Sequence, residues 1–332
     1  MSGPDVVCFE FTPENVHPLV YQPYSVPRRL HANREAFNQW YLRLVEDGPG
    51  RITAEFKALA ANLPNHGQTC KAWSENRPLN RYNDMICFDH TRIALNDGLQ
   101  PDYIHANYIR GYHRKNAYIL TQGPLDSTIF DFWRLVWQER VATVVMLARF
   151  EEGGKPKCAK YFPMSSQSDL MSGVFRIRLV KFDNRKYCKG SLLRVTNTLA
   201  NETRYVAHVW FVLWPDRGVP EDVSGLRAFL NYVKVININM SLTLCSPAYH
   251  RRGPPIIYHC SAGIGRSAVC VLLDIFTEML NHYDFADPLE LINQLRQQRF
   301  HAVHTKDQLL FIYDYIVQLC KHARYGLLET IS

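Results

Sequence analysis

A chain of 332 residues, 47% hydrophobic and 12% aromatic, can bury a sizeable core, which excludes extended disorder and suits one large domain or two small ones. Its formal net charge of +7 favours anionic partners, but basic and acidic residues are interspersed; without a basic stripe or an aromatic platform, nucleic-acid reading is disfavoured. There is no run of about 18 apolar residues and no secretory leader, and the nine scattered cysteines form no C-x-x-C pair. The expectation is therefore a reduced, cytoplasmic protein without membrane insertion, disulfide framework or zinc site.

In chain order, residues 1–30 carry several prolines and little periodicity, and read as an extension or loosely attached arm. "HANREAFNQWYLRLVED" and "RITAEFKALAANL" space their apolar residues as two amphipathic helices separated by "GPG". Between 141 and 213 the β-branched and aromatic stretches "VATVVML", "GVFRIRLVK", "LLRVTNT" and "RYVAHVWFVL" predict a sheet, with alternation clearest in the second. From 223 the helical period returns in "VSGLRAFLNYVKVI", "SAVCVLLDIFTEML", "PLELINQLRQQR" and "DQLLFIYDYIVQLC". One short strand, "PPIIYH" (254–259), is set among these helices. The pattern implies an α/β layer architecture without internal repeats.

The chemistry concentrates in "YHCSAGIGRS" (258–267), where a buried strand gives way to a tight turn and a long helix. Such a turn collects unpaired backbone N–H groups and the positive end of the helix dipole, which together bind an anion. Cys260 at the strand's end faces that site; the dipole and the Arg266 guanidinium are expected to favour its thiolate. Arg266 offers a planar fork for two phosphate oxygens, and Gly263 and Gly265 are expected to supply the backbone angles that aim the amides inward. The bland alternative is a core cysteine beside a surface arginine. "GIGRSA" also satisfies G-x-G-x-x-G/A, with Asp284 at the right distance for a ribose, but a dinucleotide fold needs further strands where this chain reads as helices. A Walker A loop would need glycine at 260 and lysine at 266.

"HCSAGIGRS" resembles the HC-x5-R-[ST] signature of the protein tyrosine phosphatases, in particular a non-receptor-like catalytic domain. Other stretches agree in the family's order: "NRYNDM" (80–85) is similar to its phosphotyrosine loop, "DYIHANYI" and "TQGPL" to two further segments, and "EEGGKPKCAKYFP" to a loop with a paired glutamate and lysine. "WPDRGVP" (214–220) is similar to its mobile acid loop, and "HTKDQLLFIY" (304–313) to its glutamine loop. The resemblance implies an α/β (α+β) fold with a central, highly twisted mixed sheet flanked by helices. It also implies a catalytic domain over 31–325, between the 1–30 extension and a 326–332 tail.

Carried over residue by residue, the resemblance implies that Cys260 attacks phosphotyrosine phosphorus while Arg266 and the amides of Ser261, Ala262, Gly263, Ile264 and Gly265 hold the phosphoryl oxygens. Asp216 protonates the leaving tyrosyl oxygen and then activates water, under a loop that Trp214 and Gly218 allow to close. Ser267 hydrogen-bonds the sulfur, and His259 fixes the thiolate through the loop. Tyr82 deepens the pocket against phosphoserine and phosphothreonine, and Asp84 accepts substrate backbone amides. Lys157 is a partner near the closed acid loop; with Glu152 it reads equally as an ordinary surface pair. No metal or cofactor enters the scheme, and the implied partners are phosphotyrosine-containing proteins.

Three positions depart from the family pattern: His304 stands where glutamine usually opens the last loop, His105 replaces the asparagine of "DYINA", and Leu79 a lysine before "NRY". His304 adjoins the expected place of the hydrolytic water, so breakdown of the phosphoenzyme is the step it should slow. Gln308 lies in "TKDQ", a T-x-x-Q capping box, beside any catalytic part it plays. Two functions stay open, an active tyrosine phosphatase and a phosphotyrosine-binding module that turns over little.

Overall fold

The computed structural model describes residues 30–61, 68–215, 218–244, 253–282 and 284–322. The expected extension, but for Leu30, and the 326–332 tail lie outside these residues, as do Asp216 and Arg217.

The two amphipathic stretches at the start form one run, α1 (Leu30–Ala61), broken at Gly48, whose φ of 66° and ψ of 177° are not helical and which Pro49 follows. The face that α1 buries carries Phe37, Trp40, Ile52 and Phe56, with Trp40 packing 5.2 Å from Tyr313 and Phe37 edge-on 5.6 Å from Phe285. Next come α2 (Lys71–Glu75), β1 (Arg92–Ala94), β2 (Tyr103–Ile109), β3 (Tyr118–Thr121), α3 (Ile129–Gln138) and β4 (Thr143–Met146). A small hairpin, β5 (Glu151–Glu152) and β6 (Lys155–Pro156), precedes β7 (Leu170–Ser172), β8 (Phe175–Asn184), β9 (Cys188–Asn197) and β10 (Glu202–Phe211). The chain continues through α4 (Val223–Leu244), β11 (Ile256–His259), α5 (Arg266–Asn281), α6 (Pro288–Gln298) and α7 (Lys306–His322).

One sheet of nine strands runs in the order β1-β2-β3-β11-β4-β10-β9-β8-β7. Its interior pairs β3/β11, β11/β4 and β4/β10 are parallel and its outer pairs antiparallel. Burial follows that division. The interior strands β4 and β11 are buried on both faces and read as continuous apolar runs, whereas β8 alternates buried and exposed residues down to Leu179. Two cores result. Ile256 and Tyr258 of β11 pack into a large cluster with α4, α5, α6 and α7, and Ile257 faces a second cluster around Phe132, Trp133 and Tyr161. The long helix α5 therefore rests on the sheet directly behind β11, and the loop between them emerges at one edge of the parallel strands, beside the loops that follow β3 and β4.

Candidate active site

Cys260 follows β11 immediately, and six residues later the chain is helical. Its sulfur accepts the Gly263 N–H at 3.3 Å and lies 3.5 Å from Ser267 Oγ. Burial alone would raise this thiol's pKa; the Ser267 side chain and backbone, then the charge of Arg266 and the Gly263 N–H, outweigh it and hold the pKa below the ordinary value. The contrast with the other buried thiols is direct. Burial raises Cys87 to about 11 and Cys188 to about 12, and also pushes up Cys158, Cys270 and Cys320. Gly263 has φ of 71°, and a Cβ there would lie 2.1 Å from the Thr121 carbonyl oxygen. Gly265 corrects the expectation made for it: its φ is −90°, and what it supplies is room, because a Cβ would sit 2.7 Å from Gln308 Nε2.

The Arg266 fork meets Glu152 with two charge-assisted hydrogen bonds, Nη1 to Oε1 at 2.6 Å and Nη2 to Oε2 at 2.8 Å, and Nη1 also donates to the Leu147 carbonyl at 3.0 Å. Glu152 is buried, and its carboxylate accepts the Arg149 N–H at 2.9 Å. The reading of Glu152 as half of a surface pair is thus corrected: hairpin β5/β6 carries a buried carboxylate that sets the plane of the guanidinium. Lys157 sits just beyond β6, half-exposed, and its carbonyl accepts the Ser261 hydroxyl at 3.1 Å.

A second arginine, which the sequence did not single out, holds the loop from behind. Arg299 is fully buried; its Nε donates to Gly263 O at 3.0 Å and its Nη2 to Ala262 O at 2.9 Å. Its remaining partners are Asn107 Oδ1 at 2.7 Å and His105 Nδ1 at 2.9 Å. With Nδ1 accepting from a guanidinium, His105 must donate from Nε2, and Nε2 lies 2.9 Å from the Met85 carbonyl. Burial, then the charge of Arg299, lowers the His105 pKa to about 3, so this imidazole is neutral and links the loop at 260–265 to the "NRYNDM" segment. Arg81 completes that link, donating to the Gly123 and Pro124 carbonyls at 3.0 and 2.7 Å. Tyr82 is thereby placed with its hydroxyl 2.8 Å from Ser261 Oγ, and Asp84 is exposed beside it.

His259 does not reach the sulfur. Its Nδ1 is 3.1 Å from the Cys260 carbonyl, and its Nε2 is 2.7 Å from the Tyr161 hydroxyl, which also lies 2.7 Å from His208 Nε2. Burial lowers His259 to about 4 and holds His208 well below the ordinary value too, so both rings are neutral around the shared hydroxyl. Trp214 is buried and its indole N–H donates to the Gly218 carbonyl at 3.2 Å, closing the base of the "WPDRG" loop, of which Asp216 is outside the described residues. The capping box forms: Thr305 Oγ1 accepts the Gln308 N–H at 3.2 Å, and Gln308 Oε1 accepts the N–H groups of Thr305 at 3.3 Å and His304 at 2.9 Å. The same Gln308 side chain abuts Gly265, so its cap and its place against the loop coincide. The His304 ring is exposed, 5.8 Å from that of His301.

The family model for protein-tyrosine phosphatase matches residues 76–318. The human tyrosine-protein phosphatase non-receptor type 9 is 36% identical over 277 residues, covering 81% of this chain and 46% of that protein. The rat receptor-type tyrosine-protein phosphatase F is 37% identical over 252 residues, covering 74% of this chain and 12% of that protein. The chain thus spans less than half the length of either relative. The crystal structure of the catalytic domain of human protein tyrosine phosphatase non-receptor type 18 superposes with a TM-score of 0.73 at 31% identity, covering 84% of this chain and 98% of that one.

Two measurements test the geometry. Ser267→Ala removes a hydrogen bond that favours the thiolate, so the pH profile of Cys260 alkylation by iodoacetamide should move to higher pH; an unmoved profile would show the other donors suffice. His105 and His259 stay neutral when folded and take up a proton only when unfolded, so unfolding stability should fall as pH drops from about 6.5 toward 4. In His105→Asn, which keeps an acceptor for Arg299, urea melts should show a shallower fall.

Proposed function

Because the chain belongs to the protein-tyrosine phosphatase family, we propose that it hydrolyses phosphotyrosine in proteins, with residues 31–325 as the catalytic domain. The observation that carries this reading is the buried Cys260 sulfur, whose pKa is lowered where burial raises five other described cysteines, beside an arginine whose fork is already aimed.

In this reading the Cys260 thiolate attacks phosphorus, the bond from phosphorus to the tyrosyl oxygen breaks, and Asp216 gives that oxygen its proton. Arg266 and the amides from Ser261 to Gly265 carry the charge of the phosphoryl oxygens, and need little reorganisation because Glu152 and Arg299 hold the fork and the loop beforehand. Asp216, now ionised, takes a proton from the water that attacks the cysteinyl phosphate, releasing inorganic phosphate and the thiolate. Ser267 favours that thiolate as leaving group, and His259 holds the carbonyl end of its peptide. Tyr82, fixed through Ser261, is the rim against which a phosphotyrosine ring packs, and Asp84 and Lys157 stand at the mouth. Free thiols at all seven described cysteines support action in the reducing cell interior, in signalling through phosphotyrosine. No helix among the described residues is long and apolar enough to cross a membrane.

His304 is the position at which the second step is slowed. Loss of some hydration against the protein surface and the charge of Arg296 lower its pKa while Asp84 opposes them, so near neutral pH the ring offers one donor and one acceptor to a water.

The decisive assay is phosphate release from phosphotyrosine and phosphoserine peptides, with Cys260→Ser alongside. Release from phosphotyrosine only, abolished in Cys260→Ser, is the expected result; peptide binding without release would establish a binding module instead. Rapid mixing of the parent should give a burst of tyrosyl product followed by slower turnover, and the burst should shrink in His304→Gln. A linear time course in the parent would rule out slow phosphoenzyme hydrolysis.

A further inference from the structure

At the far end of α5 from the catalytic loop, two imidazoles and a carboxylate converge. Glu278 lies in the last full turn of α5, and His282 caps that helix one turn later, its N–H donating to the Glu278 carbonyl at 3.2 Å. His113 comes from the loop between β2 and β3, and the ligand atoms of all three side chains lie within 4.8 Å of one another. The His113 and His282 rings stand perpendicular, at 89°, with centroids 4.4 Å apart. Tyr112 orders the pair, stacking on His282 at 5.5 Å while its hydroxyl donates to Asp284 at 3.0 Å.

We propose that His113, Glu278 and His282 form a binding site for a divalent d-block cation such as Zn2+. The donor set selects the ion. Two imidazoles and one carboxylate suit zinc, cobalt or nickel, whereas Mg2+ and Ca2+ favour all-oxygen shells. Tetrahedral bonds of about 2.0–2.1 Å put ligand atoms roughly 3.3 Å apart, so from separations within 4.8 Å the side chains need close by no more than about 1.5 Å on binding. His113 and His282 are exposed and can swing that far by rotation of their side chains alone. Three protein ligands leave a fourth position for water or an exogenous donor. Lys234 Nζ, 3.8 Å from Glu278 Oε2 and 3.6 Å from Asp274 Oδ1, competes for the carboxylate and limits the affinity. The chain has no C-x-x-C pair to hold zinc, and this site uses no cysteine.

The site ties the β2/β3 loop to the end of α5. β3 is the parallel neighbour of β11 and α5 follows the turn after β11, so the cation would tie the loop leading into one to the end of the other. Binding to the folded state alone should raise the melting temperature by about 5 °C with metal a hundredfold above Kd.

The test uses the full chain carrying Cys260→Ser, which removes the reactive thiolate as a competing metal ligand, titrated with Co2+ and with Zn2+ against a chromophoric chelator. One equivalent is expected, with Co2+ d–d bands of a low-coordinate site, no sulfur charge-transfer band, and no response to Mg2+. His282→Ala and His113→Ala, each added to that background, should lower affinity at least tenfold and abolish the melting-temperature shift. In the Cys260 parent, measured in chelator, both should leave phosphotyrosine turnover unchanged. No binding up to millimolar metal, a sulfur charge-transfer band, or binding that survives both histidine substitutions would overturn the proposal. Melts in chelator establish that each variant is folded, and Glu278→Gln replaces either one that is not.

Discussion

A sulfur anion removed from water must be compensated by fixed dipoles and cations, and at Cys260 nearly everything in the site serves that requirement. Burial works against ionisation there as it does at Cys270, ten residues on and within α5. What differs is the set of donors: an amide that only a left-handed glycine turn can aim at the sulfur, a hydroxyl from the first turn of α5, and a guanidinium at the helix start. These follow from one topological fact, that β11 is an interior parallel strand and its loop must open into a helix N-terminus.

Aiming the donors is a separate problem from supplying them, and the chain solves it with buried charge. In the loop after Cys260 the Gly263 N–H points at the sulfur while the Ala262 and Gly263 carbonyls point away, and those carbonyls need donors in a dry interior. Arg299 gives two of its N–H groups to Ala262 and Gly263 and two more to Asn107 and His105, so the loop's backbone is held by a fully buried residue behind it. Glu152 does the same for Arg266 through a planar, two-point contact that a lysine at 266 could not form.

Local chemistry was legible in the sequence and long-range support was not. Cys260, Ser267 and Arg266 fall within one strand-turn-helix unit whose periods change visibly, and Thr305 with Gln308 carries its own capping signature. The strands of the middle segment were legible because antiparallel pairing leaves one face wet and imposes alternation, as in β8. By contrast, β2, β3 and α3 gave no separate prediction: β2 interrupts its apolar residues with buried His105 and Asn107, β3 has four residues, and α3 hides polar Asp131 and Arg134 among its apolar residues. Arg299 and His105 are 194 positions apart, and nothing in the neighbourhood of either announces the other. The same holds for His259, Tyr161 and His208, which meet only once the sheet has formed.

The two histidines that replace side-chain amides in the family pattern show how one exchange takes different meanings from its surroundings. A neutral imidazole, like a carboxamide, can donate at one atom and accept at another, but those atoms are fixed in a rigid ring and the ring can take up a proton. At position 105 burial and the adjacent Arg299 suppress that proton, so the imidazole keeps the amide's double role, accepting from the guanidinium and donating to the Met85 carbonyl. At position 304 the ring is exposed and its backbone N–H, not its side chain, is the group engaged by Gln308. The buried exchange therefore preserves a structural contact, while the exposed one leaves an imidazole that faces solvent and answers to no buried guanidinium or carbonyl.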